Sequence, residues 1–176
     1  MTTTVQAVTR GDTASGDTSI GTRLAGKYMA FKLAEEEYGL EILRVREIIG
    51  LMDITRVPRA APYMRGVINL RGRVIPVIDL RSKFGMEPAP PTDQTVIIVV
   101  QVPAASNEDM TIGVLVDEVL EVRNIAADQI EPPPDVGVLC NDGDFIVGVA
   151  KTERRVIFLL DIERALRGVN GTTSVE

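Results

Sequence analysis

The sequence contains no histidine and no tryptophan, and it has only one cysteine. Without histidine, the most common general base and metal ligand of proteins is missing. The single cysteine, Cys140, excludes an internal disulfide and a cysteine-rich zinc cluster, and it fits a reducing, cytosolic compartment. We expect Cys140 to be a half-buried small apolar residue rather than a nucleophile, since its loop offers no candidate base.

Aromatic residues make up only 4% of the chain, whereas apolar residues together make up 45%. Val, Ile and Leu must therefore fill the core, and richness in β-branched residues favours strands. At 176 residues the chain is long enough for one compact body or two small ones.

Long apolar runs and an excess of positive charge are also missing. No stretch reaches the roughly 18 apolar residues of a membrane span, and the N-terminus has no signal-peptide core. The net charge of −6 argues against general binding to nucleic acid backbones or acidic lipid. We therefore expect a cytoplasmic protein without direct membrane insertion.

The two ends of the chain differ from its middle in composition. Residues 1–26 are rich in Thr, Gly, Ser and Asp without apolar periodicity, and residues 169–176 are similar. Such segments bury too little apolar surface to offset their chain entropy. We predict a disordered N-terminal tail over 1–26, an ordered region over 27–168 and a flexible C-terminal tail over 169–176.

The first ordered unit is expected over residues 27–87. The stretch YMAFKLAEEEYGLEILRV predicts a β-hairpin with a Glu-rich turn. The spacing of Val45, Ile48, Ile49 and Met52 predicts one or two helical turns. In GVINLRGRVIPVIDL two apolar strands flank the polar turn Asn69-Leu70-Arg71-Gly72-Arg73, and Asp79 then has the position of a helix N-cap.

After the linker MEPAPPTD, the same pattern starts again and defines a second unit over residues 94–168. Gly39 and Val45 match Gly113 and Val119 at a constant offset of 74 (113 − 39). After one insertion the offset is 82 (161 − 79), and the closing segments DLRSKFG and DIERALRG coincide. The sequence therefore predicts an internal duplication.

About five short, β-branched strands in each unit favour small closed or nearly closed barrels, because closure removes exposed strand edges. Each unit is marginal in size, so the two are expected to pack through an apolar seam. An exchange of strands between the units is possible, and a groove between two barrels could dock another protein.

The units differ most at the polar turn, where Asn69-Leu70-Arg71-Gly72 is replaced by Lys151-Thr152-Glu153-Arg154. Core packing therefore does not require Arg71. The surrounding segment has many arginines and a single acid, Asp79; these arginines are Arg56, Arg59, Arg65, Arg71, Arg73 and Arg81. Guanidinium groups suit protein interfaces, although single surface charges are often merely solvated.

Glu47 and Val45, which lie earlier in the first unit, are further candidates for the same site. Glu47 could pair with Arg71 and fix the shape of the turn, or it could be an ordinary surface carboxylate. Val45 is more simply a core residue, unless it lines the seam.

The stretches EYGLEILRVREI, GVINLRGRVIPVIDLRSKFG and IGVLVDEVLEV resemble the CheW-like family of bacterial chemotaxis coupling proteins over about residues 27–168. The resemblance implies a mainly β fold of two SH3-like five-stranded barrels around a shared core, with short helices and no catalytic activity. It also implies an adaptor that couples the cytoplasmic tips of methyl-accepting chemoreceptors to the regulatory domain of the histidine kinase CheA in an extended array.

On the matching motifs, the resemblance implies receptor-binding positions at Val45, Glu47, Gly66 and Arg71, with Asn69 and Gly72 supporting the turn. It assigns no single residue to the kinase interface. No catalytic residue, cofactor or metal is implied.

Two other functional classes are weighed against the adaptor. The arginine-rich segment could serve a nucleic-acid-binding tandem barrel, but the acidic total and the single aromatic Tyr63 in that segment argue against base stacking. An enzyme could use carboxylates such as Glu35-Glu36-Glu37, but no nucleophile, phosphate-binding loop or metal spacing accompanies them.

Overall fold

The structure, a computed structural model, describes residues 20–104, 108–133, 145–166 and 169. The described chain is mainly β, as predicted. Its strands are β1 (Gly26–Leu33), β2 (Glu36–Glu41), β3 (Val45–Gly50), β4 (Met64–Leu70), β5 (Arg73–Asp79), β6 (Val96–Pro103), β7 (Asp109–Val116), β8 (Glu118–Ile125), β9 (Ile130–Glu131), β10 (Ile146–Lys151) and β11 (Val156–Leu160). Two short α-helices, α1 (Leu80–Lys83) and α2 (Ile162–Ala165), follow β5 and β11.

The strands form two sheets. Sheet A has the order β8-β1-β2-β11-β10-β9, and sheet B has the order β3-β6-β7-β5-β4. Sheet A therefore has six strands rather than the five expected, because the two-residue strand β9 adds to one edge.

The two outer strands of each sheet, β8 and β9 or β3 and β4, are consecutive in the chain, which favours a curled sheet. In sheet A the 3-10 helix Ala127–Gln129 links β8 directly to β9 at the opposite edge. In sheet B the chain leaving β3 returns to β4 through Thr55, which exchanges two 2.8 Å backbone hydrogen bonds with Val67. Both sheets thus take the barrel-like form that the sequence predicts, with few unpaired strand edges.

The sheets do not follow the two sequence units. The first hairpin of each unit, β1–β2 or β6–β7, lies in the sheet built by the later strands of the other unit. Both exchanges use a parallel pairing in the same register, Val77 opposite Gly113 and Leu159 opposite Gly39. These pairs are related by the offsets of 74 and 82, so the duplication seen in the sequence extends to strand pairing. The linker MEPAPPTD at 86–93 therefore separates the units in the chain but does not separate the sheets.

Three apolar clusters fill the molecule. One lies within sheet A, on Tyr28, Ile125 and Leu159, and a second lies within sheet B, on Ile68, Val77 and Val99. The largest cluster, here called the seam, joins strands of both sheets to both helices. All four phenylalanines of the chain lie in the seam or pack against it, and Phe84 stacks on Phe145 with ring centroids 4.2 Å apart. The scarce aromatic residues are thus concentrated where the two sheets meet.

Several local predictions are confirmed. β1 and β2 form the expected antiparallel hairpin. Asp79 caps α1 by accepting a hydrogen bond from the Arg81 backbone N–H, and the matching residue Asp161 caps α2. Gly85 follows α1 with a φ of +73°, a left-handed conformation that favours glycine at the end of a helix.

The helical turns predicted from Val45, Ile48, Ile49 and Met52 are wrong. Residues 45–50 form strand β3, whose side chains alternate between half-buried and exposed, and only the preceding residues Ile42–Arg44 form a 3-10 helix. A short segment with three β-branched residues satisfies both periodicities. The pairing with β6 decides in favour of the strand.

The ends of the described chain also differ from the predicted tails. Residues 20–24 are helical, and Ile20 and Leu24 pack against the cluster of sheet A, although both fall within the predicted N-terminal tail. Val169, which falls within the predicted C-terminal tail, is buried in the seam. Cys140 and residues 1–19 and 170–176 of the two tails lie outside the described residues. Within the described part of the chain, no helix is long and apolar enough to cross a membrane.

One ion pair fastens the two sheets to each other. Asp117, at the junction between β7 and β8, accepts hydrogen bonds from Arg81 Nε at 2.8 and 2.9 Å and from the Ala34 backbone N–H at 2.8 Å. Arg81 Nη2 also contacts the same carboxylate, and Arg81 Nη1 reaches the Glu87 carbonyl oxygen at 3.2 Å. The pair thus ties helix α1 and the linker to the turn between β1 and β2.

This ion pair perturbs the ionisation of both partners. Partial burial alone would raise the pKa of Asp117, but the hydrogen bonds from Arg81 and Ala34 outweigh it, so the pKa lies below its usual range. The pKa of Arg81 is raised, chiefly by its hydrogen bonds to Asp117. Both groups are charged at neutral pH.

Asp117→Asn is expected to lower the free energy of unfolding at pH 7 by about 1.5–3 kcal/mol, since a hydrogen bond to a charged group is lost. Because the folded pKa of Asp117 is depressed, its stabilisation is complete above the unfolded pKa of about 4 and is lost as the pH falls through the lower folded value. Urea unfolding at pH 7 and pH 3 measures this, and the difference between wild type and variant should shrink at pH 3.

Asp93→Asn is the matched control, since Asp93 is exposed and has no ion pair among the described residues. Equal losses of stability in the two variants at pH 7 would contradict the role of Asp117.

Candidate functional site: the Arg71 turn and its groove

The polar turn closes the hairpin of β4 and β5, where Leu70 pairs with Arg73. Its two central residues, Arg71 and Gly72, have φ values of +53° and +85°, the pair of positive angles that a tight two-residue hairpin requires. Asn69 supports this conformation, because its side-chain oxygen accepts a hydrogen bond from the Gly72 backbone N–H at 2.9 Å. The turn is fixed by its own residues and presents the Arg71 side chain to solvent.

Arg71 is paired with Glu47 in a bidentate arrangement. Nη1 and Nη2 of Arg71 donate to Oε1 and Oε2 of Glu47, each at 2.9 Å, across 24 residues of sequence. The hydrogen bonds to Glu47 raise the pKa of Arg71, so its positive charge is retained at every physiological pH. The side chain of Arg71 is 75% exposed even in this pair, whereas that of Glu47 is 28% exposed. The pair therefore holds the guanidinium in one orientation while leaving most of it accessible.

The other two predicted site residues lie deeper. Val45 is half-buried on β3 and packs against the seam. Gly66 is buried on β4 with a φ of +144°, and a Cβ placed there would lie 2.1 Å from the Thr55 carbonyl oxygen. Gly66 thus permits the close approach by which the chain leaving β3 closes sheet B. The structure brings Arg71 and Glu47 into contact and places Val45 and Gly66 in the supporting framework.

The turn borders a groove of about 360 Å³. Arg71 and Glu47 form one part of its lining, and Arg46 and Arg73 add two more guanidinium groups. The remaining lining residues are Leu70, Ile75, Val99, Gln101, Asp109 and Thr111, from β4 to β7. Arg46 and Arg73 are exposed, and neither has an ion-pair partner among the described residues.

The arginine-rich segment is not one continuous positive surface. Arg81 pairs with Asp117, and Nε of Arg65 lies 3.9 Å from Oδ2 of Asp79. Arg56 and Arg59 are exposed in the connection between β3 and β4, and Arg59 has a φ of +60°. Only Arg71 and Arg73 from this segment share the groove.

The carboxylates considered for catalysis do not come together. Glu37 is buried and pairs with Arg155, whereas Glu35 and Glu36 are exposed at the hairpin turn. Among the residues that the structure describes, no group of three or more acidic residues or other metal ligands is placed to hold a metal ion. Asp135, Asp142 and Asp144 of the second unit lie outside the described residues.

Sequence reasoning missed two features of this region. Arg46 lies in a segment whose spacing predicts helical turns, so the sequence does not indicate that it lines the groove with the turn. Asp117 was missed as the partner of Arg81 because 36 residues separate the two. The duplication offers a signal for the groove: Arg155, which matches Arg73 in the second unit, pairs with the carboxylate of Glu37, whereas Arg73 has no ion pair among the described residues.

Comparison with known proteins places the chain in a family. The family model described as "CheW-like domain" matches residues 27–170. A chemotaxis protein CheW of Klebsiella aerogenes is 34% identical over 83% of this chain and 84% of its own length. A probable chemotaxis protein CheW of Rhizobium etli is 38% identical over 77% of this chain and 83% of its own. The crystal structure of the scaffolding protein TtCheW from Thermoanaerobacter tengcongensis superposes with a TM-score of 0.71 at 35% identity, covering 82% of this chain and 94% of that one.

Gly66→Ala is expected to lower the free energy of unfolding by about 2–4 kcal/mol, because the new methyl group overlaps the Thr55 carbonyl and the positive φ is strained. Gly50→Ala is the matched control, since Gly50 is an exposed glycine on β3, and a methyl group added there would meet no heavy atom within 4 Å. Thermal and urea unfolding compare the two variants. Gly66→Ala unfolding at the wild-type midpoint would contradict the framework role assigned to Gly66.

Proposed function

We propose, because the chain belongs to the CheW-like domain family, that it is a non-catalytic adaptor of bacterial chemotaxis. In this role it couples the cytoplasmic tips of methyl-accepting chemoreceptors to the regulatory domain of the histidine kinase CheA and helps assemble the receptor array. It acts in the cytoplasm, held at the membrane through its partners. It uses no cofactor or metal and does not bind nucleic acid.

The observation that carries the proposal is the Arg71–Glu47 pair. The guanidinium of Arg71 is held by two hydrogen bonds, while 75% of the side chain is exposed, so Arg71 has little further conformational freedom to lose on binding. Such preorganisation favours recognition of a partner by a planar fork of donors. We assign the receptor contact to this pair, with Asn69 and Gly72 holding the turn and with Val45 and Gly66 supporting it from β3 and β4.

Apolar side chains on both units support further protein contacts, such as those to the kinase. Ile48 and Val122 are exposed at positions related by the offset of 74, and Val74 and Val156 at positions related by 82. Leu43 is 86% exposed, the highest fraction among the large apolar side chains of the described residues. An adaptor that joins two kinds of partner needs more than one docking face. The proposal assigns no individual residue to the kinase contacts.

Arg71→Ala and Arg71→Glu should leave the fold intact, because Arg71 is exposed, but should weaken capture of receptor tips by more than about tenfold. Co-sedimentation with receptor-containing membranes, with and without the kinase, measures this together with receptor-dependent kinase activation. Glu153→Ala is the matched control, since Glu153 occupies the position of Arg71 in the second unit.

A folded Arg71→Glu protein that sediments with receptors and activates the kinase as wild type does would refute the site assignment. Failure of the wild-type chain to sediment with receptors in the presence of the kinase would refute the adaptor function itself.

A further inference from the structure

We propose that Arg46 and Arg73 make the groove beside the turn a binding site for carboxylates. The segment of the chemoreceptor tip that docks there then carries acidic side chains. This inference rests on the adaptor function proposed above and adds the chemistry of the partner. It concerns Arg46 and Arg73, which line the groove together with the Arg71–Glu47 pair. It follows from which charged groups of the groove have partners and which do not.

The two carboxylates that line the groove are already engaged within the chain. Both oxygens of Glu47 accept hydrogen bonds from Arg71. Asp109 Oδ2 accepts a hydrogen bond from Gln101 Nε2 at 2.6 Å. Arg46 and Arg73 therefore remain as exposed cations without a carboxylate among the described residues. A ligand that forms ion pairs with these two arginines supplies the carboxylates itself.

The duplication shows what an arginine at this place binds. Arg155, which corresponds to Arg73 at the offset of 82, donates from Nη1 to the carboxylate of Glu37. Glu37 lies opposite Ile157 in the parallel pairing of β2 with β11. The residue corresponding to Glu37 at the offset of 74 is Thr111, which lines the groove together with Arg73. Arg155 thus pairs with a carboxylate of its own chain. At the corresponding position beside Arg73, the half-buried Thr111 replaces that carboxylate.

The rest of the groove sets a second property of the ligand. Its apolar floor consists of half-buried Leu70 and buried Ile75 and Val99. A segment that fits both parts has apolar side chains directed to this floor and carboxylates directed to the two arginines. An amphipathic acidic helix meets this requirement.

The test uses the full chain and a soluble fragment carrying the cytoplasmic tip of a chemoreceptor from the same organism, titrated by calorimetry at low and high salt. Arg46→Gln and Arg73→Gln should each weaken binding about three- to tenfold at low salt and should flatten its salt dependence. Arg56→Gln is the matched control, since Arg56 is exposed but does not line the groove.

A second pair of variants supplies the missing carboxylate from within. Thr111→Glu should recreate the arrangement of Glu37 with Arg155 and should weaken binding as much as Arg73→Gln does, whereas Thr111→Gln, which adds the same bulk without the charge, should bind as wild type. Combining Thr111→Glu with Arg73→Gln should weaken binding little more than either change alone. Thermal unfolding of each variant confirms that it is folded before it is titrated.

The outcomes separate this inference from the proposed function. Wild-type affinity and salt dependence in Arg46→Gln and Arg73→Gln, with binding lost in Arg71→Ala, would overturn the carboxylate inference and leave the adaptor function standing. Equal weakening by Thr111→Glu and Thr111→Gln would also overturn it, because bulk rather than charge would then be responsible. A wild-type chain that does not bind the fragment even in the presence of the kinase would overturn both.

Discussion

The parallel pairing between the last strand of each unit and the second strand of the other is the constraint on which the structure depends. Through Val77 opposite Gly113 and Leu159 opposite Gly39, each sheet is completed by a hairpin from the other unit. The apolar faces of these hairpins meet in the seam, which holds the phenylalanines of the chain. Neither sheet is complete, and the seam does not exist, unless both units contribute.

This shared framework explains why the surfaces of the two units could diverge. The glycines, helix caps and strand registers that build the framework recur at the offsets of 74 and 82. Residues of the turn and of the groove do not recur: Arg71 is matched by Glu153, and Thr111 by Glu37. Residues that recur in both units are therefore the ones that the fold requires, whereas residues found in only one unit serve one face of the molecule. The Arg71 turn belongs to the second group.

The sequence predicts the local features of this protein better than the distant ones. The β1–β2 hairpin, the Asp79 cap and the turn at Asn69–Gly72 are encoded by neighbouring residues, and the Arg71–Glu47 pair could be proposed because the barrel fold brings these two segments together. Strand β3 was missed because its β-branched residues fit two periodicities, and only pairing with β6 distinguishes them. The Arg81–Asp117 pair depends on the exchange of hairpins, and the sixth strand of sheet A is the two-residue strand β9; local sequence patterns indicate neither.

The exchange of hairpins also bears on how the chain is made. Sheet B needs β7, which ends at Val116, and sheet A needs β11, which ends at Leu160. During synthesis the first unit leaves the ribosome before the strands that complete either sheet have been made. Its two-stranded hairpin β1–β2 is unstable alone. Most of the chain must therefore emerge before either barrel forms, and until then a nascent chain exposes apolar strands that a holdase chaperone would recognise.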